Sequence, residues 1–126
     1  MSLTILPRSW AAPLLSVLRI MTGLLFLEHG TGKLLGFPHL PMQEAGAMLY
    51  FTGAMELVGG ILITLGLFTR PVAFVLSGYM AVAYFMAHAP KSFFPVINMG
   101  ELAVMYCFVF LYLAAAGPGP WAIHKD

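Results

Sequence analysis

The sequence predicts an all-α protein, a transmembrane four-helix bundle. Three observations lead there. Of 126 residues, 60% are hydrophobic and 9% charged, with a mean hydropathy of +0.89; a soluble domain has about a quarter charged residues. The apolar residues gather in four long runs, each near the ~20 residues that cross a hydrocarbon core ~30 Å thick. Gly- and Pro-rich segments separate these runs, and no period-2 alternation persists that would argue for strands. A chain of this length is read as a single domain, residues 1–126.

The first helix is expected at about 13–35, ending at "GFPHLP". Arg8 resembles the basic start of a signal peptide, but Arg19 splits the apolar run and no small-x-small site follows, so a retained membrane helix is expected. The second helix is expected at about 45–67, before "GLFTRP". Its Gly53, Gly59, Gly60 and Gly66 suit close backbone approach, though glycine is common in membrane helices for other reasons. The third helix is expected at about 71–88, with Pro71 in its first turn. After "APKSFFP", Asn98 is placed to cap a fourth helix, about 98–116, which "GPGPW" stops. Short loops make neighbouring helices antiparallel. Arg8, Arg70 and Lys125 then flank one side, against Lys33 and Lys91 on the other, which favours cytoplasmic termini.

Several function classes are disfavoured. A net charge of +1 argues against a nucleic-acid partner. The single cysteine, Cys107, excludes an internal CxxC pair or thiolate zinc cluster and reads as packing. Neither GxGxxG nor a phosphate-binding loop occurs. His29, Glu56, His88 and Glu101 come from four helices without an HxxxH or ExxH pair, so no metal is expected.

The informative residues are the charged ones inside apolar runs. Such a residue costs at least about 2.5 kcal/mol at mid-membrane. Counting depth along antiparallel helices brings His29, Lys33, Glu56, His88 and Glu101 to one half of the membrane, while Arg19 lies deeper. Buried charges persist when paired. The depths suggest Arg19 with Glu56 and Lys33 with Glu101. Glu28 lies about 180° from Arg19 on its helix, so it must meet another helix, another chain or water. In one reading, Arg19, Phe26, His29, Lys33, Glu56, Tyr84, Glu101 and Phe108 line a pocket for a small amphipathic ligand, with Tyr112 beside its tail. His29 and His88 are then the candidates for proton exchange. In the other, the charges only staple the helices in register.

The segment "RIMTGLLFLEHGTGKLLGF" resembles the first-helix signature of the DoxX family, through Arg19, Gly23, Phe26, His29, Gly30 and Lys33. "MELVGGILITLGLFTRPVA" matches its second-helix elements at Glu56, Gly59, Gly60, Gly66, Thr69 and Arg70. "NMGELAVMYCFVFLYLAAAGPGPW" resembles its last helix, with Asn98, Glu101 and the Gly117-Pro118-Gly119 end. Glu28 stands where the family pattern more often has an apolar residue. The resemblance implies a four-helix protein of the bacterial inner membrane. Relatives include a membrane subunit linked to thiosulfate oxidation with quinone, partners of oxidoreductases handling thiol or oxidative stress, and distant eukaryotic cargo receptors.

Three functions are weighed on this basis. The first is a redox-associated membrane subunit binding a quinone-like ligand. Quinone reduction needs two electrons and two protons, and the chain has no recognisable electron donor, so another membrane or redox protein must supply it. The second is a non-enzymatic scaffold or assembly protein, contacting lipid and a partner chain or a second copy. A small-solute transporter ranks lower, because no inverted repeat is evident.

Overall fold

The computed structural model describes residues 3–41 and 44–124. Lys125, one of the flanking charges counted above, lies outside the described residues. The described chain is helical, with α1 (Ala11–Leu35), α2 (Gly46–Leu65), α3 (Thr69–Ala87), α4 (Pro95–Asn98) and α5 (Glu101–Ala116). Short 3-10 turns precede α1 (Arg8–Trp10) and follow α3 (Ala89–Lys91). The helix segments Arg8–Leu35, Gly46–Leu65 and Thr69–Lys91 are long and apolar enough to cross a membrane. α5 is also apolar, but its 16 residues reach only about 24 Å.

Two starts differ from expectation. α3 begins at Thr69, so Pro71 is its third residue, still within the turn whose N–H groups need no intrahelical acceptor. The run expected to open at Asn98 is broken. Asn98 ends the four-residue α4, Met99 takes a left-handed φ of 65°, and α5 starts at Glu101. Asn98 Oδ1 still accepts from a backbone N–H, that of Gly100 at 2.8 Å.

The chain forms two compact units. The first comprises Met1–Phe68 with Pro118–Asp126. In it, α1 and α2 pack antiparallel at close range, and glycines alternate between the helices along the seam. Gly23 lies against Thr64, Gly60 against Leu27, Gly30 against Leu57 and Gly53 against Leu34. A Cβ at Gly30 would meet the backbone of Leu57, which cannot rotate aside. Gly30→Ala should therefore cost about 1–3 kcal/mol through forced separation of the helices. Gly78→Ala should be neutral or slightly stabilising, because its Cβ meets nothing within 4 Å. Detergent unfolding of both variants checks this; equal stabilities would show that the seam yields freely.

The tail of the first unit is a strap, where the sequence suggested only a helix stop. Ile123 N donates to the Leu65 carbonyl and His124 N to that of Gly66, each at 3.1 Å. Ser16 Oγ donates to the Pro118 carbonyl at 3.1 Å and accepts from Trp121 N at 3.0 Å. The strap thus closes over the end of α2, whose last carbonyls have no intrahelical donor.

The second unit is Thr69–Gly117, in which α3 and α5 pair. Ser77 Oγ donates to the Cys107 carbonyl at 2.8 Å. Arg70 caps the end of α5 through the carbonyls of Ala114 and Ala115. The buried stripe of α5 is Ala103, Tyr106, Phe110 and Leu113, with the rings of Tyr106 and Phe110 stacked 5.8 Å apart.

Candidate functional site

Lys33 is the centre of the candidate site, in the last turns of α1. Its Nζ lies 3.0 Å from Glu56 Oε1 and 3.1 Å from Oε2, straddled by that carboxylate. Glu44 Oε1 is 2.7 Å away, and Thr52 Oγ1 accepts from Nζ at 3.1 Å. Thr52 Oγ1 is also 3.0 Å from Glu44 Oε2 and 2.9 Å from the Met48 carbonyl, so its one proton serves one of them at a time. Glu56 is buried at 7% exposure. The Glu44 side chain, at 34%, is the member nearest the outside.

Local structure explains the convergence. The antiparallel seam brings Thr52 and Glu56, one helical turn apart on α2, beside Lys33. Gly36 ends α1 with a left-handed φ of 73° and turns the chain back. Gly32 lacks the side chain that would collide with Leu40 and the Pro38 carbonyl, so the connection folds against α1 and delivers Glu44. His29 is half-buried on α1, one turn before Lys33.

Arg19 is elsewhere. It precedes Lys33 by fourteen positions on the same helix, about 21 Å along its axis. The suggested Arg19–Glu56 pair does not form. The guanidinium, 1% exposed, donates to the carbonyls of Ile63 (3.0 Å), Thr64 (3.4 Å), Trp121 (2.6 Å) and Pro118. These acceptors carry the partial negative charge of the α2 terminus and the strap, which a cation complements. Of the suggested Lys33–Glu101 pair, Lys33 is taken within its own unit by Glu44 and Glu56, and Glu101 is exposed in the first turn of α5.

In the second unit, Tyr84 and His88 do come together, around a residue not assigned to the site. Asn98, fully buried, donates to Tyr84 Oη at 2.9 Å and to the Ser92 carbonyl at 3.0 Å. His88 Nδ1 lies 3.0 Å from the Asn98 carbonyl, and the Tyr84 and His88 rings stack at 6.2 Å. Phe108 was expected to line a tail pocket. It is 63% exposed, and Met105 and Tyr112 of the same stripe also face outward. Phe26 is buried on α1. A cavity of about 410 Å³ lies on the face of α1 opposite Lys33, between Leu24, Leu27, Glu28, Thr31, Leu35, Phe37 and Pro38.

Sequence reasoning missed Glu44 and Thr52. Glu44 belongs to a connection, where depth counting along helices does not apply. A signal existed nonetheless: Glu44 lies just before the start of α2, where acidic groups favour the helix N-terminus.

A family model described as DoxX matches residues 14–89, which include Arg19, the glycine seam, Lys33 and Glu56. The chain belongs to the DoxX family. This DoxX chain is 46% identical over 116 residues to an "Uncharacterized protein" of Haemophilus influenzae, covering 86% of the chain and 87% of the relative. It is 30% identical over 118 residues to the "Inner membrane protein YqjF" of Escherichia coli K12, with 86% and 88% covered. A Bacillus subtilis relative called "Putative oxidoreductase CatD" is 36% identical over 107 residues, with 80% and 77% covered. No solved structure matches the chain.

Proposed function

We propose that this DoxX protein is a multi-pass subunit of the bacterial inner membrane that serves a redox partner and binds a quinone-like amphiphile at the Lys33 cluster. In this reading residues 1–126 are one domain, α4 and α5 together make the fourth crossing, and the termini are cytoplasmic. The names of the Escherichia coli and Bacillus subtilis relatives support the membrane and the redox association.

One observation carries the ligand site: a single ammonium is shared by two carboxyl groups beside membrane-spanning helices. Charge held there needs neutralising partners. The donor set suits a quinone head. Lys33 can donate to a carbonyl oxygen, and Glu44 or Glu56 can accept from a hydroxyl. Both carboxyl groups and His29 can hold a proton in transit. Electrons must come from a partner chain. When bound, the quinone supplies a two-electron, two-proton couple. Lys33 already has three acceptors, in Glu44, Glu56 and Thr52, so a ligand oxygen enters by displacing the outermost, Glu44.

The same saturation favours a second reading, in which the cluster is a closed staple and the protein a scaffold. Gentle extraction followed by native mass spectrometry and lipid analysis separates the two. The first reading expects quinone with the wild-type protein and its loss from a folded Lys33→Met, Glu56→Leu double variant that no longer complements a deletion. A folded double variant with full activity would leave only the staple.

A further inference from the structure

The connection between α3 and α5 carries an apolar surface. From Ser92 to Gly100 there is no charged residue, while Lys91 and Glu101 bracket the segment. Phe93, Phe94, Val96, Ile97 and Met99 are between 56% and 86% exposed. Water disfavours five such side chains in one short stretch.

Much of the backbone beneath them is hydrogen-bonded within the segment. Ile97 N and Asn98 N donate to the Phe94 carbonyl at 2.9 and 2.8 Å, and Gly100 N donates to that of Pro95 at 3.3 Å. Phe94 N donates to Ser92 Oγ at 3.3 Å. Asn98 ties the segment to Tyr84 and Ser92, and its own carbonyl faces His88 Nδ1. Non-helical backbone is tolerated in lipid only where its polar groups find such partners.

Register gives the depth. At one end of the unit Arg70 meets the carbonyl of Ala115. At the other, Gly100 lies against the ring of Tyr84. α5 therefore begins level with Tyr84, below the end of α3 at Ala87 and well below Lys91. Its length of about 24 Å falls short of the ~30 Å hydrocarbon core, and the segment 93–99 occupies the missing height.

We infer that Phe93–Met99 is an interfacial lipid-binding element, its five apolar side chains seated in the acyl–headgroup boundary and its backbone held by Asn98. The occupant is phospholipid. On the helices that flank the segment, Phe85 and Met86 of α3 and Leu102 and Met105 of α5 are exposed as well. Lys91 extends to the headgroups, and Glu101 limits the depth to the ~5–10 Å of a shallow insertion. This rests on the reading of α5 as a crossing helix.

Spin labels on single cysteines in a Cys107→Ala background test it, in vesicles of phosphatidylethanolamine and phosphatidylglycerol. The sites are Lys91→Cys, Phe94→Cys, Ile97→Cys and Phe108→Cys, all exposed. Labels at 94, 97 and 108 should be severalfold more accessible to oxygen than to a nickel chelate, and the label at 91 the reverse. Nickel access at 94 and 97 with oxygen access at 108 would overturn the lipid element alone. Exclusion of both reagents at 94 and 97 would also overturn it, because protein would then cover the surface. Nickel access at 108 would overturn the crossing and the element together.

Discussion

Arg19→Ala is expected to destabilise the first unit by about 2–6 kcal/mol, because each buried acceptor left without a donor costs about 1–3 kcal/mol and the carbonyls of Thr64 and Trp121 depend on the guanidinium. Four carbonyls lose the guanidinium at once, Ile63, Thr64, Pro118 and Trp121, of which Ile63 keeps Gly66 N and Pro118 keeps Ser16 Oγ as donors. Two of them belong to the strap, so Trp121 fluorescence should report its release along with the loss of stability. Arg19→Lys should rescue little. A lysine offers three protons from one atom, whereas the guanidinium fork reaches two sides of the site. Arg70→Ala should cost less, since Arg70 is half-buried and water can reach the α5 carbonyls it caps. Lys91→Ala, in the exposed turn after α3, should stay within about 0.5 kcal/mol. Thermal unfolding in detergent ranks the four. Parity between Arg19→Ala and Lys91→Ala would show that the strap does not depend on the guanidinium.

The second large effect is expected at Lys33. Lys33→Met strips the shared cation from Glu44 and Glu56, and removing one side of a buried ion pair costs about 3–5 kcal/mol. The double replacement Lys33→Met, Glu56→Leu should recover most of that loss, since apolar packing often matches a buried pair. Glu44→Gln alone should cost about 1 kcal/mol or less, because Glu44 is a third exposed. A double-mutant cycle in detergent measures the coupling. Additive losses for Lys33 and Glu56 would mean that the contact contributes nothing to stability.

These two sites show how far the sequence could be read. Arg19 and Lys33 stand out in an apolar run, because a charge in hydrocarbon demands an explanation. Their partners do not stand out. Depth counting pairs Arg19 with Glu56 and Lys33 with Glu101 by treating every acceptor as a helix-borne side chain. In the structure Arg19 uses backbone carbonyls, half of them from the strap after α5, and Lys33 takes one partner from the connection before α2. Neither a carbonyl nor a loop residue has a hydropathy signature.

The amino-acid sequence alone determined the membrane class, the approximate extent of the apolar segments and the family, since apolar length and local motifs are properties of neighbouring residues. The glycines of its second helix suited a close backbone approach without naming the partner; the structure gives α1, whose Gly23 and Gly30 complete the seam. The tertiary structure decided which stripe of α5 is buried. That helix is apolar on nearly every face, so periodicity cannot distinguish Tyr106 and Phe110, which are buried, from Met105 and Phe108, which are not. It also decided the break at Asn98–Gly100 and the company of each charge. Those outcomes depend on where the connections and the tail fold back, and the tail is held by side chains that donate to backbone carbonyls about a hundred positions away.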